Sequence, residues 1–373
     1  MYTEKGVGQM QSLKAILLGD AMIPGLRFKE AWDKCMTDYG TDVLFGDWEN
    51  NWDKLQFRRL EVEKKGPEIE TVDELIQSQG KDREILMGLF VPVSSRVFDA
   101  MPKLKIAGVS RAGLENVNVG EATKRGILVF NVQGRNAQAV SDFAVGMMLA
   151  ECRNIARAHF AIKNEIWRKT FVNTEMIPEL PGRKVGIIGF GYIGQLVAKK
   201  LSGFSVTRLV YDPFADESLI TASGCKKVDL DTLLKESDFV TLHARLLESN
   251  KKMIGERELA LMKPTAYLIN TARAGLIDQE ALLKALQEKK IMGAALDVFT
   301  TEPISPDSGF LALDNVTLTS HLAGTTADAL GNSPFMLMED IHGFLKGEKA
   351  RFLVNPEVLE NPEFAQWLAH IKR

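Results

Sequence analysis

Short apolar runs, each closed by a charged or turn residue, alternate along the chain with longer stretches of helical periodicity. In the first third these runs are 13–19 "LKAILLG", 82–90 "DREILMGLF", 103–109 "KLKIAGV" and 126–132 "GILVFNV". Near-continuous apolar runs of this length mark strands covered on both faces, and they predict a first sheet over residues 13–132. A second series starts at Lys184 and reaches about His321, with "VGIIGF", "TRLVY", "FVTLHA", "AYLIN", "GAALDV" and "VTLTS" as its strands. Between the two, from Asn136, "NAQAVSDFAVGMMLAECRNIARAHFAIKNE" reads as one long helical stretch. Its apolar residues occupy more than one face, which predicts burial on several sides, part of it against a second copy of the chain. The connector "PELPGR" follows it. Alternating strands and helices without repeats point to α/β layers around parallel sheets. The helical tail after the second series is too short for a domain, and is expected to return to the first sheet and make that domain discontinuous.

Length and composition narrow this picture without redirecting it. A chain of 373 residues fits about two domains. The charged fraction is 25% and the net charge −3, with no basic excess for a phosphate-binding surface, so nucleic acid is not an expected partner. No apolar run approaches the roughly 20 residues of a membrane span, so no membrane partner is expected. "MYTEKGVGQMQSLK" lacks the apolar core of a secretory signal, and the expected location is cytoplasmic. The segment before Leu13 reads as a loose terminus. Cys35, Cys152 and Cys225 show no metal-ligand spacing and read as structural thiols; neither a metal nor a disulfide framework is expected.

The candidate chemistry lies in the second series. "KVGIIGFGYIGQLVAKKL" sets Gly189, Gly191 and Gly194 in G-x-G-x-x-G spacing between an apolar strand and an amphipathic helix. Such a turn seats a pyrophosphate on a helix N-terminus, where free N–H groups and the helix dipole favour anions. Alone, the pattern fits equally a turn that lets helix and sheet pack closely. The next strand, "TRLVY", ends at Asp212, where a carboxylate would hold the ribose diol of NAD and repel the extra phosphate of NADP. NAD is therefore the expected cofactor. Arg273, Glu302 and His321 each follow a predicted strand, on the side of the sheet where ligands bind. Histidine gives and recovers a proton near neutrality, a neighbouring carboxylate orients it, and a guanidinium grips a carboxylate. Each also has a plainer reading, as a structural histidine (His243 in "TLHAR" is one) or a simple ion pair; their convergence in one dinucleotide fold favours chemistry.

The chain resembles the D-2-hydroxyacid dehydrogenases over nearly its whole length, on "GFGYIG", "YDP", "MKPTAYLINTARAGLID", "AALDVFTTEP" and "SHLAG", in that order and spacing. The resemblance implies two Rossmann-like domains with a cleft between them. One is a doubly wound parallel sheet binding the dinucleotide at 136–322, the other a flavodoxin-like substrate domain made of 1–135 plus 323–373. It implies His321 as acid/base, Glu302 as its support, and Arg273 as the group that binds the carboxylate and carbonyl of a 2-keto or 2-hydroxy acid. Asp297 would hold the nicotinamide carboxamide, and Tyr192, Ile193, Thr271, Ala272 and Gly324 would join the glycine loop, Asp212 and His321 around the cofactor. The loop "GVSRAGLENVN" would offer the backbone N–H groups of Ala112 and Gly113 to the substrate. It also implies domain closure, with a hinge near 133–136 and after His321, and a homodimer. Two residues depart from the family pattern. Arg111 replaces a small residue; it either adds a second cation, suiting a phosphorylated or dicarboxylic substrate, or points outward or pairs with Glu115. Arg245 stands where a proline is usual. An NAD-sensing corepressor or scaffold of the same fold is the alternative from another class.

Overall fold

The computed structural model describes residues 12–371, so the N-terminal segment expected to be loose lies outside the described residues. The chain divides into two compact units, Met1–Arg135 with Ala327–Arg373, and Asn136–Thr326.

The first unit is built on β1 (Ser12–Asp20), β2 (Gly40–Glu49), β3 (Ile85–Gly88), β4 (Ile106–Val109) and β5 (Leu128–Phe130), all parallel, in the order β2-β1-β3-β4-β5. That is the flavodoxin-like order. β3, β4 and β5 are buried along their whole length, as continuous apolar runs require. The pattern did not reveal β2: it is an edge strand with exposed residues such as Phe45, paired among the described residues only with β1. The tail of the chain completes this unit. Leu337, Met338, Ile341 and Phe344 of the helix Ala327–Leu345 join the sheet's core, as do Phe352, Val358 and Phe364. Asn355, itself buried, accepts from Val129 N at 2.7 Å and so ties the tail to β5.

The second unit has seven parallel strands: β6 (Lys184–Ile188), β7 (Thr207–Tyr211), β8 (Lys226–Lys227), β9 (Phe239–Leu242), β10 (Tyr267–Asn270), β11 (Gly293–Leu296) and β12 (Val316–Leu318). Their order, β8-β7-β6-β9-β10-β11-β12, is that of the Rossmann sheet with one strand added. Successive strand residues face opposite sides: Val185, Ile187, Tyr267 and Ile269 pack in one core, Ile188, Val240, Leu268 and Leu296 in the other. The strand order changes direction at β6 and β9, which opens a crevice at their carboxyl ends. The stretch read as one long helix is two, Ala137–Cys152 and Ile155–Lys163, broken at Asn154, whose φ of 59° is left-handed. Met147, Met148 and Cys152 of the first pack on the sheet, while Phe160 and Ile162 of the second are exposed.

Candidate active site

The glycine loop joins β6 to the helix Tyr192–Leu201, and its three glycines serve three ends. Gly189 has φ of 91°, and a Cβ there would lie 2.5 Å from Ala244 N. Gly194 lets the helix approach the strand, since a Cβ would lie 2.1 Å from Gly189 O. At Gly191, the residue capping the helix, a Cβ would meet nothing within 4 Å, so the space over the helix N-terminus is open. The first N–H groups of any helix have no intrahelical acceptor, so those of Tyr192 and Ile193 face a ready anion site.

A cavity of about 650 Å³ continues from this loop, lined by Gly189, Gly191, Tyr211, Asp212, His243 and Arg245, among others. Asp212 sits just past β7, and its carboxylate accepts from Phe190 N at 2.7 Å, Phe214 N at 2.8 Å and Ala215 N at 3.0 Å. The acid thus ties the glycine loop to the next strand as it lines the pocket. His243 is buried with Nε2 2.9 Å from Thr241 Oγ1, and burial pushes its pKa down to about 3, which leaves it the neutral structural histidine. Thr271, just past β10, has a buried Oγ1 with no hydrogen-bond partner among the described residues. An open helix N-terminus, an acid at the end of the second strand and an unpartnered hydroxyl together fit a dinucleotide. Gly324 packs tightly too, since a Cβ there would meet Asn136 Nδ2 at 2.3 Å.

Beyond β10, β11 and β12 lie the other candidates. Arg273 is exposed; Asn270 holds its loop by donating to Arg273 O at 3.0 Å and accepting from Ala272 N at 3.0 Å. Its Nη1 donates to Ala272 O at 2.7 Å, and it makes no ion pair among the described residues. His321, with φ of 56°, turns its Nδ1 to Glu302 Oε2 at 2.8 Å. Glu302 Oε1 accepts from Phe299 N at 3.0 Å. Burial pushes the Glu302 carboxyl up. The hydrogen bonds from His321 and Phe299 and the charges of His321 and Arg273 outweigh it and hold the group below the usual carboxylate range. Both residues line a second cavity of about 730 Å³, walled by Phe299, Ile304, Leu311, Leu318 and Leu322.

Asp297, given to the nicotinamide carboxamide by resemblance, is fully buried at the end of β11. Its carboxylate accepts from Thr319 Oγ1 at 2.6 Å, Leu322 N at 2.9 Å and Ala323 N at 2.9 Å, so it clamps the loop that carries His321. In the first unit, Arg111 takes the paired arrangement, 2.9 Å from Glu63 and 3.1 Å from Glu115. Gly113 lies beneath that pair, where a Cβ would come within 2.3 Å of the tip of the Glu115 side chain. Ala112, exposed, accepts at its carbonyl from Asn131. Among the described residues, no group of histidine, cysteine and acidic side chains is arranged to hold a metal, and no helix is long and apolar enough to cross a membrane. The three cysteines are free, and burial raises Cys152 to about 12.

Fold and site together define an NAD-binding oxidoreductase, and comparison with known proteins gives its family. Residues 145–323 match the model of the D-isomer specific 2-hydroxyacid dehydrogenase NAD binding domain. A glyoxylate reductase of Korarchaeum cryptofilum is 40% identical over 282 residues, covering 75% of this chain and 85% of that protein. A D-3-phosphoglycerate dehydrogenase of Archaeoglobus fulgidus is 36% identical over 309 residues, 81% of this chain but 58% of that protein. The crystal structure of an NAD-complexed D-isomer specific 2-hydroxyacid dehydrogenase of Lactobacillus delbrueckii ssp. bulgaricus has the same fold. It aligns with a TM-score of 0.72 at 23% identity, over 91% of this chain and 100% of that one. The chain belongs to the D-isomer specific 2-hydroxyacid dehydrogenase family.

Proposed function

We propose that the protein reduces a 2-keto acid to the D-2-hydroxy acid, with His321 as the acid/base, Glu302 as its positioning residue and Arg273 as the carboxylate clamp. The observation that carries this reading is the His321–Glu302 pair at 2.8 Å beside an arginine free of any carboxylate partner among the described residues. NAD, when bound, supplies or takes up the hydride at C2 of the substrate. Gly189, Gly191, Tyr192, Ile193, Gly194 and Asp212 would hold it, with Thr271, Ala272 and Gly324 near the reacting end. His321 Nδ1 is engaged by Glu302, so Nε2 is the nitrogen left to give a proton to the carbonyl oxygen, or to take it back in the oxidation. Glu302 stays ionised through neutrality and steadies the charged imidazole. Arg273 neutralises the substrate carboxylate by a charge-assisted pair of hydrogen bonds. We assign Asp297 to holding the His321 loop.

The names of the relatives favour glyoxylate, hydroxypyruvate or a phosphorylated keto acid as substrate, and they lend nothing to the corepressor alternative. A homodimer and a cytoplasmic location complete the proposal. The dimer is supported by a run of exposed apolar residues, Ile155, Phe160, Ile162, Ile166 and Trp167, in the second unit. The test is NADH oxidation by the purified protein with a panel of 2-keto acids. His321→Ala should lose roughly 10²- to 10⁴-fold in kcat with NADH affinity retained. Turnover unaffected by that change would remove His321 from the chemistry.

A further inference from the structure

Arg245, in the loop after β9, lines the cavity of about 650 Å³ that the glycine loop and Asp212 also line. The strand order β7-β6-β9 sets the glycine loop, which follows β6, between Asp212 just past β7 and Arg245 just past β9. All of these belong to the second unit. The backbone at Arg245 is fixed from both sides. Ala244 abuts the glycine loop so closely that a Cβ at Gly189 would lie 2.5 Å from Ala244 N, and Leu246 packs on Gly275, where a Cβ would lie 2.9 Å from Leu246 Cδ2. Asn250 closes the loop, donating to Arg245 O at 2.8 Å and accepting from Leu247 N at 2.7 Å.

The Arg245 side chain, by contrast, is exposed and makes no hydrogen bond, ion pair or ring contact among the described residues. Among the described residues that line the cavity it is the only arginine or lysine, and His243 is buried in its neutral form. The carboxylates around it have other partners. Asp212 accepts from the N–H groups of Phe190, Phe214 and Ala215, Asp216 from Ser218 N at 2.8 Å, and Glu248 pairs with Lys251 at 2.6 Å. Asp212 and Asp216 both line the cavity and repel a phosphate, whereas the open helix N-terminus beside them supplies only about half an elementary charge. A dinucleotide asks the cavity for both signs, an acceptor for its ribose hydroxyls and a cation for its phosphates. The acid on one flank of the glycine loop meets the first demand; a guanidinium held without a counterion on the other flank meets the second.

We propose that Arg245 is a phosphate-binding residue of the cofactor cavity, pairing by charge-assisted hydrogen bonds with a phosphate on the adenosine half of the dinucleotide. The proline usual in the family at this position has no charge to offer, so the contact is one this chain adds. The phosphate is the 5′-phosphate next to the glycine loop, or a 2′-phosphate whose repulsion by Asp212 the arginine offsets, which would open the cavity to NADP. The proposal rests on the reading of this cavity as the dinucleotide site, and its test separates the two.

Adenosine, 5′-AMP and 2′-AMP are titrated calorimetrically into the wild type and Arg245→Met, with no substrate present. The exchange is at an exposed side chain with no partner to lose, and adenosine serves as the neutral control. Arg245→Met should bind one of the two nucleotides about 10- to 100-fold more weakly than the wild type, with adenosine unaffected. A selective loss on 5′-AMP assigns the arginine to the 5′-phosphate, one on 2′-AMP to the 2′-phosphate, and either upholds the proposal. Unchanged affinities, or an equal loss on all three ligands, would overturn the role of Arg245 while leaving the cavity as the adenosine site. A wild type that binds none of the three would overturn both.

Discussion

Asp20 closes β1 as an acid inside an apolar edge, 1% exposed. Burial, opposed only in part by the three N–H groups it accepts from, raises its pKa from 3.8 to about 6. The folded unit then binds this proton more tightly than the unfolded chain does. Stability contributed by the protonated form is full below the unfolded pKa and is lost as pH rises from about 4 to about 6, a change of about 3 kcal/mol at 1.36 kcal/mol per unit. Asp20→Asn should remove that slope, which urea unfolding at pH 4 and pH 7 would read; an unchanged slope would assign it to other groups. Residues of this kind were the least legible. Arg273, Glu302 and His321 announced themselves by following strands, and the structure puts two of them in hydrogen-bond contact. Asp20 has no motif, because its state is set by what the fold removes from around it. Asp297 was visible, but not its grip on the His321 loop, which joins the ends of two strands.

Strands were read well wherever their apolar positions lie close together, the edge strand β12 included, and the two missed, β2 and β8, are both edge strands. The edge strand β2 is half polar and takes its conformation from pairing with β1, while β8 is two lysines held by β7. The single long helix failed at Asn154 because a buried polar network competes with the helix there. Glu151 pairs with Arg157, Arg157 Nη1 donates to Asn154 Oδ1 at 3.0 Å, and Asn154 donates to Asn173 at 2.8 Å. Propensity has no term for such tertiary partners. The glycine loop shows the opposite case, a short pattern that fixes geometry outright. Gly194→Ala would drive a methyl group to 2.1 Å from Gly189 O. A cost of about 1–3 kcal/mol and a weakened NADH affinity should follow, by thermal unfolding and fluorescence titration. If both are unaltered, the close approach is not what the glycine is for.

For the molecule as a whole, the exposed apolar run at 155–177 carries the dimer proposal. Trp167 is 78% and Phe160 71% exposed, more than a monomer's surface easily tolerates in one stretch. Phe160→Asp with Trp167→Glu should halve the mass seen by light scattering, and a wild type already monomeric would dismiss the dimer. The return of the chain to its first unit has a different kind of consequence. Leu337, Phe344 and Phe364 lie in the same core as Leu13 and Ile16. During synthesis the ribosome must therefore release the entire dinucleotide-binding unit before the first sheet can close its core. Until then Leu13–Phe130 is a set of strands with one side unfinished, and contacts of such long sequence separation form slowly. The N-terminal third of this protein is thus the part that most needs shelter as it is made, though it is made first.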